Sequence, residues 1–99
     1  MRQVLVRYKT KPECADENAR LIGEVYKELA AKAPVGLRYM TLRLPDGTFI
    51  HYATIPEGVP SVTALESFKR FDAGIKDRCV EPPVGAEPVV VGSYGFVGP

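Results

Sequence analysis

LRYMTLRLPDGTFIHYATI, residues 37–55, is the stretch that decides the predicted fold. Two runs rich in β-branched and aromatic residues flank a proline, an aspartate and a glycine, which is the pattern of a β-hairpin. The proline presets φ for a type I turn, and the glycine accepts the positive φ of the bulge position. With this three-residue loop, Leu44 pairs with Thr48 and Thr41 lies opposite His51.

This register sorts the hairpin side chains into two sets, because side chains alternate between the two faces of a sheet. One set is Tyr39, Thr41, Arg43, Phe49, His51 and Ala53, and the other is Met40, Leu42, Leu44, Ile50 and Tyr52. Both sets contain large apolar side chains, so we expect both faces of the sheet to be covered. The sequence leaves open which face meets the helices.

Hydrophobic periodicity predicts the elements on either side of the hairpin. Alternation of apolar and charged residues predicts a first strand over residues 3–10. An apolar stripe with 3.6-residue spacing predicts a first helix over residues 15–33, which Pro34 ends. A valine-rich run predicts the last strand over residues 89–97.

A second helix is predicted between the hairpin and the last strand. Ser61 or Thr63 caps it, and its apolar stripe extends to Cys79, before two prolines. The resulting order, β-α-β-β-α-β, is that of the ferredoxin-like split βαβ arrangement. We therefore predict a single α+β domain over residues 1–99, with a four-stranded antiparallel sheet and two helices on one face.

Composition limits the classes of function. The chain of 99 residues has a formal net charge of +1, so it lacks the basic excess of a general nucleic-acid binder. No apolar run has the length of a membrane helix or the character of a signal peptide, which predicts a cytoplasmic protein. One histidine and two separated cysteines, Cys14 and Cys79, do not compose a metal site, and free thiols are expected in a reducing compartment.

The two-sided hydrophobicity of the hairpin also predicts a partner. In the ferredoxin-like arrangement the helices cover one face of the sheet only, and monomers rarely expose a large apolar patch. A two-fold homodimer with its sheets packed face to face would cover the other face. The alternative is a monomer with a half-solvated sheet, which antiparallel sheets allow.

The order of elements, the sequence LESFKRF at residues 65–71 after a Ser/Thr cap, and the valine-rich end together resemble the dimeric α+β barrel superfamily. Within it, the chain is similar to the antibiotic-biosynthesis-monooxygenase-like domains. The resemblance implies a homodimer, a ligand cavity between sheet and helices, and relatives that oxygenate polycyclic aromatic compounds without a cofactor. Haem-degrading relatives use an Asn, a Trp and a His. This chain has no Trp, and its only Asn, Asn18, lies in the first helix, which disfavours haem degradation.

His51, the only histidine, is the candidate general acid or base, since imidazole titrates near neutral pH. Tyr39, Thr41 and Arg43 share its face. The imidazole would orient or deprotonate a phenol while Arg43 holds an anion, and Tyr39 and Thr41 would also contact the ligand. Such an arrangement suits oxygenation without a cofactor. The alternative is a structural histidine, hydrogen-bonded within the sheet or at a dimer interface.

Phe68 and Phe71 in the second helix are the candidate walls of an aromatic-ligand pocket. Aromatic residues at this helical spacing more often belong to an ordinary core. The sequence thus predicts an enzyme or binding protein for a small hydrophobic, aromatic ligand, with no cofactor and no metal. The alternative function is a non-enzymatic ligand-sensing or protein/RNA interaction module. The stretch 47–52 faintly resembles the aromatic strand of RNA-recognition modules, without its full aromatic spacing.

Overall fold

The computed structural model describes residues 1–96 and arranges them as a ferredoxin-like α+β fold. The elements in chain order are β1 (Arg2–Thr10), α1 (Ala15–Lys32), β2 (Arg38–Arg43), β3 (Thr48–Ile55), α2 (Glu66–Ala73), α3 (Ile75–Arg78) and β4 (Cys79–Ala86). The strand order across the sheet is β2-β3-β1-β4, and every neighbouring pair is antiparallel. The predicted fold class is therefore confirmed.

The β2–β3 hairpin has the predicted register. The Leu44 amide donates to the Thr48 carbonyl at 2.8 Å, and the Gly47 amide donates to the Leu44 carbonyl at 3.1 Å. Gly47 has a φ of +88°, the left-handed region that favours glycine. Thr41 lies opposite His51, as the turn chemistry predicts.

The sheet face that carries Tyr39 and His51 is the one that packs on the helices, which answers the question that the sequence leaves open. Phe49 and His51 are buried there, together with Tyr8 from β1. The opposite set from β2 and β3 faces outward, and Met40, Leu42 and Leu44 are exposed. We call this side of the sheet the outer face, and the side that packs on the helices the inner face.

The prediction of a last strand at residues 89–97 is wrong. The fourth strand is β4, which pairs with β1, while residues 89–91 form no strand and their valines are exposed. Val97 lies outside the described residues. The prolines that suggested a break, Pro82 and Pro83, are tolerated because β4 is an edge strand.

The second helix is shorter than predicted, because it breaks at Gly74 into α2 and α3, and Cys79 already belongs to β4. The predicted cap also differs. The Ser61 side chain accepts from the Thr63 amide at 3.4 Å and so caps a preceding 3₁₀ turn, Val62–Ala64. The N-cap position of α2 itself is Leu65, which provides no side-chain cap.

A glutamate from α1 supplies the missing cap of α2. The Glu28 carboxylate accepts from the Ser67 amide at 2.9 Å and from the Ser67 hydroxyl at 2.5 Å. Lys32, one turn further along α1, forms an ion pair with the same carboxylate at 2.8 Å. The hydrogen bonds from Lys32 and then from Ser67 lower the pKa of Glu28 to about 2. The carboxylate therefore joins the two helices that cover the inner face.

No helix among residues 1–96 has both the length and the hydrophobicity that a membrane span requires. The cytoplasmic location stays a prediction.

We expect Glu28→Ala to lower the melting temperature at pH 7 by about 5 °C, because α2 loses its N-terminal cap. The pKa of this carboxyl is about 2 in the folded chain against an ordinary value of 4.5. The ionised carboxylate therefore stabilises the fold above pH 4.5, and this contribution is lost as the pH falls toward 2. Thermal unfolding followed by circular dichroism should show the difference from the unsubstituted protein shrinking over that range.

Glu24→Ala is the matched control for this experiment, since the Glu24 carboxylate contacts only the exposed Lys27 among the described residues, at 3.4 Å. Equal melting temperatures for the two variants at pH 7 would show that Glu28 does not cap α2.

Candidate functional site

A cavity of about 320 Å³ lies between the inner face of the sheet and the helices α2 and α3. Its apolar walls include Val4, Val6, Ile55, Phe68, Phe71 and Ile75. The lining also includes the exposed residues Arg2 and Asp72, which mark its opening to solvent. The size and apolar character are typical of a site for a small hydrophobic molecule.

Three polar side chains meet on the inner-face lining of this cavity. The Tyr8 hydroxyl lies 2.8 Å from His51 Nε2, and the Tyr39 hydroxyl lies 2.5 Å from His51 Nδ1. The imidazole ring also packs on Phe71, with ring centroids 5.5 Å apart. Both ring nitrogens thus have a hydroxyl partner while the ring borders the cavity.

The strand registers explain why these three side chains meet. His51 is in β3, between β1 and β2, and its direct partners are Val6 and Thr41. Tyr8 and Tyr39 are each two positions along from those partners, on the same face and diagonal to His51. Diagonal neighbours on a sheet lie within reach of long aromatic side chains. The two tyrosines therefore approach the imidazole from opposite sides.

All three polar groups are uncharged at neutral pH. Burial lowers the pKa of His51 to about 4 from its ordinary value of 6.5. Burial also raises the pKa of Tyr8 and of Tyr39 well above the ordinary value, and hydrogen bonds from Asn18 and with Thr41 offset part of each rise. The site therefore offers neutral hydrogen-bond donors and acceptors.

A second layer of polar groups lies behind Tyr8. The buried Asn18 amide nitrogen donates to the Tyr8 hydroxyl at 2.8 Å, and Arg78 Nε donates to Asn18 Oδ1 at 3.0 Å. Arg78 also donates to the Phe71 carbonyl at 2.7 Å, with its guanidinium 5.3 Å from the centre of the Phe71 ring. A connected set of hydrogen bonds thus extends from α3 through α1 to the imidazole.

Four of the six residues predicted for the site line the cavity: His51, Tyr39, Phe68 and Phe71.

Thr41 and Arg43 are placed elsewhere. The Thr41 hydroxyl lies 3.5 Å from His51 Nδ1, behind the lining, and 2.8 Å from the Tyr26 hydroxyl. Arg43 pairs with Asp16 at 3.1 Å and lies over the Phe49 ring at 5.7 Å, away from the cavity.

Sequence reasoning missed Tyr8, Asn18 and Arg78. Tyr8 shares the alternation of Val4 and Val6, which was a usable signal that it faces the same side. Asn18 and Arg78 carry no such signal, since they lie on helices 60 positions apart.

Residues 1–96 contain no group of three His, Cys, Asp or Glu side chains that could hold a metal ion. Cys14 and Cys79 are both free thiols and partly buried.

No protein-family model and no curated protein matches the sequence. Solved structures do match. A proposed antibiotic biosynthesis monooxygenase from Nitrosomonas europaea superposes with a TM-score of 0.71 at 13% identity, over 93% of this chain and all of that one. One from Deinococcus radiodurans has a TM-score of 0.68 at 13% identity, over 99% and 100% of the two chains.

A third, from Caulobacter crescentus, has a TM-score of 0.67 at 16% identity, over 91% of this chain and 89% of that one. Identities this low establish the shared fold and not a shared activity.

We expect the free energy of unfolding to fall by about 3 kcal/mol as the pH drops from 6.5 to 4 on account of His51. The pKa of the ring is lower in the folded chain, so below pH 6.5 the unfolded chain binds a proton that the folded chain does not. Urea unfolding at several pH values measures how the free energy of unfolding depends on pH. His51→Gln should remove the part of this dependence that comes from the imidazole. An NMR titration of the single histidine with its midpoint near 6.5 instead of 4 would contradict the assignment.

The superpositions show that the described residues have the fold of the antibiotic biosynthesis monooxygenase domains. At the level of the fold, this confirms the resemblance inferred from the sequence.

Proposed function

We propose that this protein binds a small aromatic molecule in the cavity beside His51 and oxygenates it without a cofactor. The observation that carries the proposal is a neutral imidazole, held between two tyrosine hydroxyls, bordering a cavity with largely apolar walls. Apolar walls with a few convergent polar groups are typical of a small-molecule site. The fold shared with proposed monooxygenases supports this choice of reaction.

The cavity favours a flat aromatic ring system. Phe68 and Phe71 project from α2 with their ring centroids 5.4 Å apart and their planes tilted by 59°. Such a pair offers one ring face and one ring edge, the geometries in which aromatic groups pack best. A ligand with an oxygen atom at one end would place that atom at the hydroxyls and its rings between these walls.

The chemistry needs a substrate that itself reduces oxygen. An activated methylene between aryl groups loses a proton to give a carbanion, which is delocalised onto the ligand oxygen. The carbanion carbon forms a bond to dioxygen, the O–O bond then breaks, and one oxygen atom remains as a carbonyl. The other leaves as water with the two hydrogens of the methylene, so the substrate supplies all the electrons.

Tyr39 and His51 would act as one unit in this reaction. Tyr39 lines the cavity, and its hydroxyl shares a hydrogen bond with the imidazole. The hydroxyl contacts the ligand oxygen, and the neutral imidazole exchanges a proton with Tyr39. Groups positioned in this way contribute about 10²- to 10⁴-fold to rate.

A second candidate, ligand binding without turnover, is favoured by the same hydrogen bonds. Both nitrogens of His51 already have hydroxyl partners, so the imidazole also fits a structural role in a sensing module.

Anthrone, which has an activated methylene, is the probe for turnover. We expect oxygen uptake and anthraquinone formation above the rate of the heat-inactivated protein. Tyr39→Phe should lower kcat/KM about 100-fold, because a donor to the developing oxyanion is lost, and His51→Ala should lower it similarly.

The matched control is Tyr94→Phe, since Tyr94 is 97% exposed and does not line the cavity. Turnover that is unchanged in Tyr39→Phe and His51→Ala would contradict the assigned roles. Anthrone binding without oxygen uptake would favour the sensing module.

We also propose that the protein is a homodimer closed through the outer face. Cross-strand rows on that face place Met40 beside Tyr52, and Leu42 beside Ile50. Leu44 extends these rows into one apolar patch. The side chains of Met40, Leu42 and Leu44 are each more than 40% exposed. A second copy presents the same apolar patch, so a two-fold axis would cover both at once.

Leu42→Glu should convert such a dimer into a monomer, because it places a charge at the centre of the interface. Sedimentation velocity at micromolar concentration measures the change in mass. Val35→Glu is the matched control, since Val35 is also apolar and is 85% exposed but lies outside the sheet. An unsubstituted protein that sediments as a monomer would refute the dimer.

A further inference from the structure

Hydrogen bonds that begin behind the cavity and end on its lining connect five side chains, in the order Arg78, Asn18, Tyr8, His51 and Tyr39. We call these five side chains the polar chain. Its successive contacts measure 3.0, 2.8, 2.8 and 2.5 Å. Its five members come from five separate elements of the fold, and the last three, Tyr8, His51 and Tyr39, line the cavity.

Arg78 sets the direction in which hydrogens are donated along the polar chain. A guanidinium group only donates hydrogen bonds, so the Asn18 atom that faces Arg78 must be the carbonyl oxygen. The amide nitrogen of Asn18 then faces Tyr8 and donates to its hydroxyl oxygen. The Tyr8 oxygen is thereby an acceptor toward Asn18, and its own hydrogen remains to be donated elsewhere.

The hydrogen of Tyr8 has one acceptor within reach in residues 1–96, which is His51 Nε2. Tyr8 is 2% exposed, so leaving this hydrogen unpaired would be costly. Nε2 therefore accepts and carries no proton. Since burial keeps the ring neutral, its single proton is on Nδ1, which donates to the Tyr39 oxygen.

The direction of the chain decides what Tyr39 offers to the cavity. With the proton on Nδ1, the Tyr39 oxygen accepts from His51, and the Tyr39 hydrogen can point to Thr41 or to a molecule in the cavity. With the proton on Nε2 instead, Tyr39 would donate to His51 and offer only lone pairs. Tyr39 would then favour a ligand with a hydrogen-bond donor, whereas with the proton on Nδ1 it favours a ligand with a hydrogen-bond acceptor.

We propose that Arg78 and Asn18 are positioning residues that fix His51, through Tyr8, as the tautomer with its proton on Nδ1, so that Tyr39 donates to a carbonyl or oxyanion oxygen of the ligand. Each bond in the chain polarises the next, and the arginine places a positive charge at its far end. The part of the inference that concerns the ligand rests on the proposed function. The tautomer of His51 is a property of the protein alone.

The tautomer can be measured by ¹⁵N NMR, because the single histidine gives one pair of ring nitrogen signals. At pH 8 we expect Nδ1 to be protonated in the unsubstituted protein. Asn18→Asp should reverse the direction of donation between residue 18 and His51 in the polar chain, because a carboxylate accepts from both Arg78 and Tyr8. Tyr8 must then accept from His51, and the proton moves to Nε2.

Gln3→Glu is the matched control, since it makes the same amide-to-carboxylate change at a residue that does not line the cavity. The Gln3 side chain accepts from the Tyr52 hydroxyl at 2.9 Å. The substitution should leave the tautomer unchanged. If Asn18→Asp does not fold, Arg78→Met and Arg78→Lys replace it. The methionine should give a mixture of tautomers, and the lysine, which still donates, should restore the Nδ1 form.

Binding of 9-fluorenone and of fluorene, which lacks the carbonyl, tests the consequence for the ligand. We expect the unsubstituted protein to bind the ketone about tenfold more tightly. Tyr39→Phe and Asn18→Asp should each abolish this preference.

Two results would overturn the inference: an Nε2 proton in the unsubstituted protein, or a tautomer that none of the substitutions at residues 18 and 78 alters. An Nδ1 proton with no binding of either probe would refute the proposed function and leave the positioning roles standing.

Discussion

The burial of one neutral imidazole constrains the rest of this structure. Each nitrogen of a buried histidine ring needs a hydrogen-bond partner, since a buried unpaired polar group costs about 1–3 kcal/mol. His51 has Tyr8 on one side and Tyr39 on the other, so both strand pairs of β3 must keep their register. A slip of one residue in either pair would turn a tyrosine to the outer face. The requirement extends to the helices, because Tyr8 in turn is paired with Asn18, and Asn18 with Arg78.

The parts of the fold that the sequence predicts well are those set by local chemistry. The hairpin at 37–55 has a turn whose residue types dictate its loop length, and the period-2 alternation then dictates its faces. The prediction of the last strand is wrong because the position of a strand in the sheet, a tertiary property, decides whether prolines are tolerated. Pro82 and Pro83 argue against a strand locally, yet an edge strand has one side without ladder partners and accepts them. The valines at 89–91 have strand propensity but no neighbouring strand in the described part of the chain. The cap of α2 by Glu28 is likewise invisible locally, since its partner is 39 positions away.

In the candidate site, too, contacts within the hairpin are predictable from the sequence, and contacts between distant elements are not. His51 and Tyr39 are found together because they share a face of one hairpin. Tyr8 meets them across 43 positions of sequence, and Asn18 is a helix residue whose type alone suggests no role. Arg43 lies on the predicted face, but it is the last residue of its strand and reaches Asp16 at the start of α1 instead of the cavity. Periodicity assigns a face to each side chain, whereas its partner depends on how the helices pack on the sheet.

A crystal structure of the protein with bound 9-fluorenone is the most decisive experiment, because it shows both the ligand and the hydrogen bonds of the buried imidazole. We expect the rings of the ketone to lie between Phe68 and Phe71, and its carbonyl oxygen to lie within hydrogen-bond distance of the Tyr39 hydroxyl. His51 should keep both tyrosine partners in that complex. A ketone whose carbonyl points to the cavity opening, or one bound outside this cavity, would contradict this expectation.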